Sequence, residues 1–586
     1  MNALEAASLV MIPSGYEDGT LGSLKPTDGT GDFTFTRGSN ISATRVNADG
    51  NIEKGYENLL LQSNSFTTTW LQTDLTATSG QSGYDGSNDA WLLSKSAANG
   101  RIRQYVTDTG IQTLSAYFKA GTNNWMRITY GGATTYFDLA NGVLGSDNSI
   151  DATITSIGSG WYRCTFTANV TSAQYAQFYV ADANGDTSGT TGSILIQDAM
   201  LNQGMVAYPY VETTTAPVAG GILEDMPRLD YSNGSCPSLL LEGSRTNLAP
   251  YSEYIEGLGL TDLTATPNAT TSPEGVQNAY KMLTGTGGSE QISHQATGTS
   301  GNTKTQSVYI KADSGVQWIR LIQLRAGFSN SASTHFDIQN GVKGAKEENG
   351  TTSVVDDATK IEDAGNGWYR LTLVCTDSTY NVNFDTRVRT AIADGSGTRV
   401  SNGSYFIWGY QMESDATYPT SYIPTYGVSQ TRLSDVTDRG SNLAYTGNYT
   451  LFMEFELTKD GLYLLNSNTS TAYTFFIEND DCYFQFGRTG GDSGSVSFVN
   501  MFDWRAALGT TIKMAFYKSG TNAKLFVNGT PYTPSGNTLS TGNEVLDWRY
   551  LNYTTTPNRQ QQAYIKQLVE FETALSDDKC IELTTI

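Results

Sequence analysis

A chain of 586 residues is too long for a single hydrophobic core, and its length predicts about three to five domains. Only 16% of the residues are charged, while 60 glycines and 34 tyrosines give the composition of a β-rich surface protein, in which aromatic residues sit in half-buried strands and glycine makes the turns. The 58 acidic and 36 basic side chains give a formal net charge of -22, which argues against nucleic acid as a partner because phosphate backbones are repelled.

The cysteines and the N-terminal sequence both favour synthesis in a reducing cytoplasm. No two cysteines form a C-x-x-C pair, and an odd number favours free thiols over a secreted disulfide framework. The cysteines are Cys164, Cys236, Cys375, Cys482 and Cys580. The first lysine is Lys25, so the short apolar run near Met1 does not resemble a signal peptide. No segment approaches the roughly 18 apolar residues that a membrane helix needs, so we expect no membrane insertion.

Residues 1–57 are predicted to form an N-terminal arm. Two turn dipeptides, Asp28-Gly29 and Asp49-Gly50, interrupt this segment. The run Asp-Phe-Thr-Phe-Thr-Arg at 32–37 alternates with a period of two, which is typical of a strand. The segment therefore predicts an arm that contains one short strand.

Residues 58–212 are predicted to form a β-sandwich module, which we call copy one. Runs rich in β-branched and aromatic residues are bounded by glycine, asparagine or aspartate clusters, and they predict strands at 112–120, 125–130, 161–168 and 175–181. Short strands at this spacing indicate a sandwich or jelly roll. A connector follows at 213–246, and its apolar triplet at 239–241 is too short for a domain core, so we expect it to pack against a neighbour.

Residues 247–425 repeat the module, and we call them copy two. The sequence Thr-Asp-Leu-Thr-Ala-Thr at 73–78 returns at 261–266, and Gly-Trp-Tyr-Arg at 160–163 returns at 367–370. The offset between matched segments grows along the chain, which predicts insertions in surface loops. Duplication of a whole domain favours avidity or construction over a single catalytic pocket.

A linker is predicted at 426–441, and residues 442–586 have no counterpart in the repeat. Alternating runs predict strands at 449–457, 472–477, 482–486 and 513–517, and a closing strand at 563–571. Asn528-Gly529 is the strongest hairpin signal in the chain. Ser576 with acidic residues after it predicts the start of a helix.

These motifs carry two resemblances. The order of strand, hairpin at 526–529, final strand and Ala-Leu-Ser-Asp-Asp tail at 574–578 resembles laminin-G-like, concanavalin-type lectin sandwiches. The segments at 44–50, 227–231, 236–242 and 245–248 look like connectors in virion proteins of tailed bacteriophages, which precede jelly rolls similar to carbohydrate-binding modules. Those jelly rolls end in Trp-Gly-x-Gln-x-Glu, here at 408–413, and in Ser-Tyr-Ile-Pro-Thr, here at 421–425. Copy one departs from the pattern because Gln197-Asp-Ala-Met stands in place of the Trp-Gly run.

The chain offers little for catalysis. Its two histidines, His294 and His335, lie in copy two without a nucleophile motif around them, and a catalytic triad would need one of them as the base. No phosphate-binding loop of the Gly-x-x-x-x-Gly-Lys-Ser/Thr type is present. Glycan hydrolysis needs only two carboxylates, so a polysaccharide depolymerase is kept as an alternative. We expect a protein that is not an enzyme.

We expect no metal or cofactor. The sequence Asp-Ala-Asn-Gly-Asp at 182–186 resembles the start of a calcium loop. However, Thr187 stands where an EF-hand needs glycine, and Ser193 stands where it needs the bidentate glutamate. A polar hairpin tip is therefore the favoured interpretation, and a structural calcium ion elsewhere in a jelly roll is the alternative left open.

Aromatic residues are the candidate ligand contacts. The Trp-Tyr pairs at 161–162 and 368–369 are shared by both copies, and adjacent strand residues face opposite sides, so these pairs predict core and rim positions. Aromatic residues without a match in the other copy are better candidates, provided that their side chains are exposed. They are Trp70, Trp91, Trp408 and Tyr410. Trp504 and Trp548 allow either interpretation.

The sequence thus predicts an all-β chain with two tandem jelly-roll sandwiches and a C-terminal concanavalin-like sandwich. The resemblance implies a structural protein of a bacteriophage virion, a fibre or decoration of tail or head, whose arm attaches to other virion proteins. Its modules would hold host-surface or environmental glycans. By analogy with fibres we expect a homotrimer on the virion surface, made in the host cytoplasm. A purely structural cement or adaptor protein is the first alternative, and a bacterial surface adhesin is a weaker one.

Overall fold

The computed structural model describes residues 3–17, 19–39, 41–296, 302–325, 330–377, 384–439, 445–458, 462–466, 473–478, 481–485, 494–539, 544–546, 550–551 and 562–586. The chain divides into two compact units. The terminal unit comprises Met1–Lys54, Ile222–Arg245 and Thr431–Ile586, and the repeat unit comprises Gly55–Gly221 and Thr246–Gln430. Nearly all regular structure in the described residues is β, which confirms the predicted fold class.

Copy one is a sandwich of two six-stranded antiparallel sheets, and all of its residues from 58 to 212 are described. We call the two sheets the front sheet and the back sheet. In spatial order, the front sheet consists of Val143–Asp147, Ala133–Asp138, Trp125–Tyr130, Gln174–Ala181, Arg101–Val106 and Leu71–Thr73. The back sheet consists of Asp151–Gly158, Trp161–Val170, Gly110–Ala120, Gly192–Gln203, Ala90–Lys95 and Leu75–Gln81.

Copy two has the same topology. In the same spatial order, its front sheet consists of Val342–Asn349, Ser331–Asp337, Trp318–Arg325, Phe384–Ala391, Gln291–Ala296 and Gly259–Thr261. Its back sheet consists of Thr352–Val354 with Lys360–Asp363, Trp368–Asp377, Thr303–Ser314, Ser404–Ser414, Ala279–Thr284 and Leu263–Thr270. The strands of each copy can be numbered from 1 to 12 along the chain, with Thr352–Val354 and Lys360–Asp363 counted together as strand 9 of copy two. The spatial order is then 8-7-6-11-4-1 in both front sheets and 9-10-5-12-3-2 in both back sheets. The two stretches therefore share one strand order.

Local details are also duplicated. A β-bulge lies between Ser115 and Tyr117 in copy one and between Ser307 and Tyr309 in copy two. In copy one the Asp138 carboxylate accepts the Asn141 backbone N–H and closes a tight turn, and Asp337 does the same for Asn340 in copy two. Such Asx turns explain why the Phe-Asp-x-x-Asn-Gly-Val motif occurs twice in the sequence.

Strand alternation sets which residues the front sheet of copy one exposes. The inward side chains form the core between the two sheets, and they include Ile102, Met126, Ile128, Phe178 and Val180. The residues between them point to the opposite face, because successive side chains in a strand alternate. The front sheet therefore presents Arg101, Arg103, Arg127 and their cross-strand neighbours on its outer side.

The two copies contact each other within the repeat unit. The Tyr208 hydroxyl of copy one donates to Glu274 of copy two at 2.6 Å. Directly after copy two, the carbonyl of Tyr426 accepts the backbone N–H of Ile111 from copy one at 2.6 Å. A short ribbon of Tyr56–Asn58 and Val218–Gly220 lies in the same unit.

The terminal unit contains two packed sheets around one core. Among the described residues, the first sheet consists of Leu229–Asp230, Ser238–Leu241, Ala563–Phe571, Tyr449–Leu457, Thr511–Ser519, Asn522–Val527 and Thr530–Tyr532, with Leu9–Met11 also on Ala563–Phe571. The second consists of Tyr16–Glu17, Thr20–Leu21, Phe33–Thr36, Val436–Asp438, Tyr550–Leu551, Leu462–Asn466, Tyr473–Glu478, Asp481–Gln485, Ser495–Phe498 and Gly536–Asn537. Short ribbons join Thr44–Val46 to Ile52–Lys54 and Tyr445–Thr446 to Val545–Leu546.

The sequence prediction treats the arm, the connector and the linker as separate segments. In the structure they contribute strands to the sheets of the terminal unit. Leu9–Met11 and the connector strand Ser238–Leu241 lie end to end on the same edge of Ala563–Phe571, and Phe33–Thr36 pairs with Val436–Asp438 of the predicted linker. The side chains Leu9, Met11 and Leu239–Leu241 are buried, which explains why these short segments do not remain free. The expectation that the connector packs against a neighbour is confirmed.

A buried ionic cluster holds these segments together. Arg228 pairs with Glu242 at 2.7 Å and also with Asp435, while Arg432 pairs with the same Glu242 at 2.8 Å. Arg37 reaches Asp435 at 3.3 Å, and burial lowers the pKa of Arg37 to about 10 although Asp435 opposes the shift. Removal of one partner would leave an uncompensated buried charge, which is strongly destabilising.

The C-terminal elements follow the sequence prediction. Asn528-Gly529 forms the turn between Asn522–Val527 and Thr530–Tyr532, and Ser576 caps the helix Asp577–Thr584 by accepting from the Lys579 N–H. The other helical segments of the described residues are Ala3–Ala6 and the 3-10 turn Ile255–Gly257. No helix of the described chain is long and apolar enough to span a membrane. The predicted strand ends at 472 and 486, linker residues 440–441, and Trp548 lie outside the described residues.

Candidate functional site

Three of the four predicted ligand contacts lie inside the modules. Trp408 and Tyr410 have no exposed surface, and Trp70 is 3% exposed. Trp408 packs with Tyr309 and Tyr422, and the Tyr410 hydroxyl contacts Gln306 at 3.3 Å. A ring enclosed in this way has no face for a ligand to stack on, so the exposure that the prediction required is not met at these positions.

The fourth predicted contact, Trp91, is half-buried. Its indole N–H donates to the Asn64 carbonyl at 3.0 Å, and its ring meets the Phe66 ring edge-on at 6.0 Å. Both the polar and the apolar parts of the side chain therefore have partners within copy one. Trp504 of the terminal unit is likewise buried.

The shared pairs, His335 and the calcium-like loop also have structural partners. Trp161 and Trp368 are 2% and 1% exposed, which agrees with the predicted buried role of each Trp-Tyr pair. His335 is buried, with its ring nitrogens near the carbonyls of Ala345 and Ser396. Asp182 of the calcium-like loop binds the Lys95 ammonium at 2.5 Å. No group of His, Cys, Asp or Glu side chains suited to a metal ion occurs in the part of the chain that the structure describes.

Four of the five cysteines follow the prediction of free buried thiols. Cys164, Cys375, Cys482 and Cys580 are buried, and burial raises the pKa of each thiol. Cys236 is exposed. The thiols are held in the less reactive protonated form wherever they are buried.

A different surface stands out on the front sheet of copy one. Arg101, Tyr179, Arg127 and Tyr136 are direct cross-strand neighbours, so they form one row across four strands. The neighbouring rows add Arg103, Gln177 and Thr129, and then Tyr105 and Tyr175. We call the surface formed by Arg101, Arg103, Arg127, Tyr105, Tyr136, Tyr175 and Tyr179 the arginine–tyrosine face.

The guanidinium groups of this face rest on tyrosine rings. The Arg127 Cζ atom lies 3.5 Å from the centroid of the Tyr179 ring, and the Arg101 Cζ atom lies 5.3 Å from the same centroid. Arg103 lies 4.4 Å from the centroid of the Tyr175 ring. Each contact of this kind contributes on the order of 0.5–2 kcal/mol and keeps a flexible arginine in one orientation. The face is therefore preorganised.

The arginines of the face lack carboxylate partners. Among the described residues, no Asp or Glu pairs with Arg101, Arg103 or Arg127, and the Nε–H of each has no acceptor. Arg127 donates to the Tyr136 hydroxyl at 3.4 Å, and Arg101 donates to the Asn99 carbonyl at 3.2 Å. Three unneutralised cations on one face are unusual in a chain with a net charge of -22.

The same face of copy two holds its arginines differently. The row there is Gln291, Arg389, Arg320 and His335, and Arg389 donates to the Gln291 amide oxygen at 2.7 Å. Arg320 pairs with Glu347. Copy two therefore neutralises the arginine that corresponds to Arg127 of copy one.

A second pair in copy two joins Arg387 to Asp385 at 3.2 Å. Burial, followed by the charges of Arg399, Arg387 and Arg320, lowers the pKa of Arg389 to about 10. The face of copy two is thus rich in arginine but is partly neutralised by its own carboxylates. Neither face was predicted from the sequence, although the Arg-x-Arg spacing at 101–103 and 387–389 places two arginines on one side of a strand.

No family model and no curated protein matches the chain. Among solved structures, the CBM40 module of Ruminococcus gnavus IT-sialidase bound to α2,3-sialyllactose shares 16% identity, with 24% of this chain and 84% of that chain covered and a TM-score of 0.20. The receptor-binding domain of botulinum neurotoxin C/D mosaic serotype shares 12% identity over 26% of this chain and 40% of its own, with a TM-score of 0.20. The binding domain of botulinum neurotoxin serotype G shares 11% identity over 26% of this chain and 39% of its own, with a TM-score of 0.19. The chain thus spans less than half of either toxin structure, and at these scores we draw no functional argument from the similarities.

Proposed function

We propose that the protein is a non-enzymatic structural component of a bacteriophage virion whose duplicated sandwich modules display a glycan-binding surface, formed chiefly by the front sheet of copy one. The observation that carries the binding role is the arginine–tyrosine face of copy one. It combines three partly exposed arginines with Tyr105 at its edge, which is 55% exposed, while Tyr136 and Tyr179 are buried and hold Arg101 and Arg127 in place. Rigid platforms of this type bind sugars because little conformational entropy is lost on binding.

The virion role is supported by the connector and jelly-roll sequence motifs. Segments at 227–231 and 236–242, which resemble phage connectors, supply Arg228 and Glu242 of the buried ionic cluster. In this proposal the protein lies on the virion surface as a homotrimer, with other virion proteins and host-surface or environmental glycans as its partners. Weak binding sites give a higher overall affinity on the virion, because linked copies raise the effective concentration of each site.

The test of glycan binding is an array of neutral and acidic glycans probed with the full-length recombinant protein at high valency. We expect binding that weakens about tenfold when Arg101 and Arg127 are both replaced by glutamine. No binding to any glycan would overturn the proposal and favour the cement or adaptor role. Release of shortened oligosaccharides from a bound polysaccharide would instead identify a depolymerase.

The virion role needs its own experiment. Antibodies raised against the recombinant protein should label intact phage particles at the tail or head surface in electron micrographs. Labelling confined to bacterial envelopes would contradict the virion assignment and favour an adhesin. The mass of the protein in solution tests the expected trimer separately.

A further inference from the structure

The arginine–tyrosine face of copy one offers cations in a geometry that suits one kind of ligand. A guanidinium group presents a planar fork of donors that matches a carboxylate bidentately. Arg101 and Arg127 stand on either side of Tyr179, and each is held by contact with that ring. The exposed edge of the face carries Tyr105, whose ring meets Tyr175 at 5.1 Å and leaves a surface for an apolar sugar face.

The duplication shows what these arginines bind when a partner is available. In copy two, Glu347 lies opposite Ser333 and pairs with Arg320. The corresponding position in copy one is Asn148, whose side-chain oxygen accepts the Thr134 backbone N–H at 2.6 Å. The carboxylate that neutralises this arginine in copy two has therefore been replaced by an amide in copy one.

A second carboxylate is replaced in the same way. Asp385 lies opposite Gln295 in copy two, and the matching pair in copy one is Tyr175 opposite Tyr105. The substitution exchanges an internal anion for an aromatic ring. The first change leaves Arg127 without an internal anion. The second frees no arginine, because Gln177 stands at the position of Arg387, the partner of Asp385, but it adds aromatic surface beside the arginines.

We infer that copy one binds acidic glycans, with Arg101 and Arg127 receiving the carboxylate of a uronic or similar sugar acid and Tyr105 contacting the sugar ring. This inference rests on the proposed glycan-binding function and narrows its ligand class. Copy two plays the smaller part in binding these glycans, because Glu347 occupies Arg320, Asp385 occupies Arg387 and the Gln291 amide oxygen accepts from Arg389. The net charge of -22 repels polyanions at long range, so recognition depends on this local cationic surface.

The experiment is calorimetric titration of the full-length protein with hexuronate and nonulosonate oligosaccharides, each paired with its methyl ester. The ester keeps the sugar and removes the charge. We expect the free acids to bind about tenfold or more tightly than their esters, since a charge-assisted contact between a carboxylate and arginine is worth about 1.4 kcal/mol or more. Affinity for the acids should fall as salt concentration rises.

Variants locate the site. Replacing Arg101 and Arg127 together by glutamine should weaken acid binding about tenfold, and replacing both by lysine should recover part of that loss because charge returns without the planar fork. The matched control replaces Arg320 and Arg389 of copy two by glutamine and should change affinity less than about twofold. Circular dichroism and melting temperature establish that each variant is folded.

The outcomes separate this inference from the function on which it rests. Equal binding of acids and esters, or binding of neutral glycans alone, would overturn the inference and leave glycan binding in place. Preference for sulfated or phosphorylated glycans over carboxylated ones would also overturn it. Absence of binding to every glycan would overturn both proposals.

Discussion

The front sheets of the two copies have the same strand order, yet they treat their arginines in opposite ways. Copy two pairs Arg320 with Glu347 and Arg387 with Asp385, whereas copy one leaves Arg101 and Arg127 on tyrosine rings without a carboxylate. At the position where both copies have an arginine on this row, Arg127 and Arg320, the fold therefore does not require a carboxylate partner. The two copies differ on this face in whether their arginines are already paired with a carboxylate of the protein or remain available to a ligand.

The back sheets differ in another way. Gln197-Asp198 of copy one occupies the place of Trp408-Gly409 in copy two, opposite Tyr117 and Tyr309 respectively. Gln197 donates to Asp89 at 2.8 Å, while Trp408 lies against tyrosine rings. Both solutions are buried. The back-sheet difference is the one that is easiest to see in the sequence, and it concerns packing. The front-sheet difference concerns an accessible surface.

The largest expected effect comes from replacing Trp408 by glutamine, the residue that copy one uses. The change removes a fully buried ring and places an amide among Tyr309 and Tyr422, so we expect copy two to lose about 4 kcal/mol of stability. Hydrogen exchange of the full-length protein measures this locally. Protection should fall in Ser404–Ser414 and remain in the equivalent strand of copy one, Gly192–Gln203. Unchanged protection of Ser404–Ser414 would mean that the two solutions are interchangeable.

A second substitution tests the backbone beside that tryptophan. Gly409 has φ +66°, and a Cβ atom there would lie 2.8 Å from the Tyr309 ring, so Gly409→Ala should cost about 2 kcal/mol. Gly395→Ala is the matched control, because Gly395 has the same φ but its nearest neighbour would be 3.7 Å away. The control should cost about half as much. Urea unfolding followed by hydrogen exchange compares the two, and equal costs would show that packing against Tyr309 does not matter.

A third prediction converts copy two towards copy one. In a protein already carrying glutamine at Arg101 and Arg127, Glu347→Gln frees Arg320 and should raise the affinity for acidic oligosaccharides about three- to tenfold. Stability should change by less than about 1 kcal/mol because the pair is partly exposed. Glu348→Gln makes the same change of charge at the next residue, which pairs with Lys346. An equal gain from that control would indicate a general charge effect and contradict a specific role for Arg320.

Much of the fold follows from the sequence because hydrophobic periodicity and repeated motifs act locally. The strands at 125–130 and 161–168, the hairpin at Asn528-Gly529 and the helix cap at Ser576 depend on near neighbours, and all of them appear in the structure. The strand pairing of residues 1–57 cannot be predicted from local sequence patterns. Leu9–Met11 pairs with residues more than 500 positions away, and no local pattern encodes that pairing.

The candidate site was harder to predict for a related reason. Large aromatic residues bury more often than they bind, and Trp70, Trp408 and Tyr410 follow that rule. The row of Arg101, Tyr179, Arg127 and Tyr136 draws on four strands that are scattered between residues 101 and 181. Cross-strand register brings them together, and register depends on the tertiary fold.

The smallest predicted effect concerns pH and Asp198 of copy one, whose counterpart Gly409 cannot titrate. Burial raises the pKa of Asp198 to about 6, and the hydrogen bond from the Tyr84 hydroxyl opposes the shift without cancelling it. The folded protein therefore holds this proton more tightly than the unfolded chain, so the carboxyl stabilises the fold at low pH and this contribution is lost as pH rises through about 6. The melting temperature of the wild type minus that of Asp198→Asn should therefore be larger at pH 4.5 than at pH 7.

Asp186→Asn is a control of opposite sign. Hydrogen bonds from Ser188 lower the pKa of Asp186, so its contribution to stability is lost as pH falls. A difference between wild type and Asp198→Asn that does not change with pH would show that Asp198 is solvated enough to ionise normally, and that the back sheets of the two copies are equally insensitive to pH.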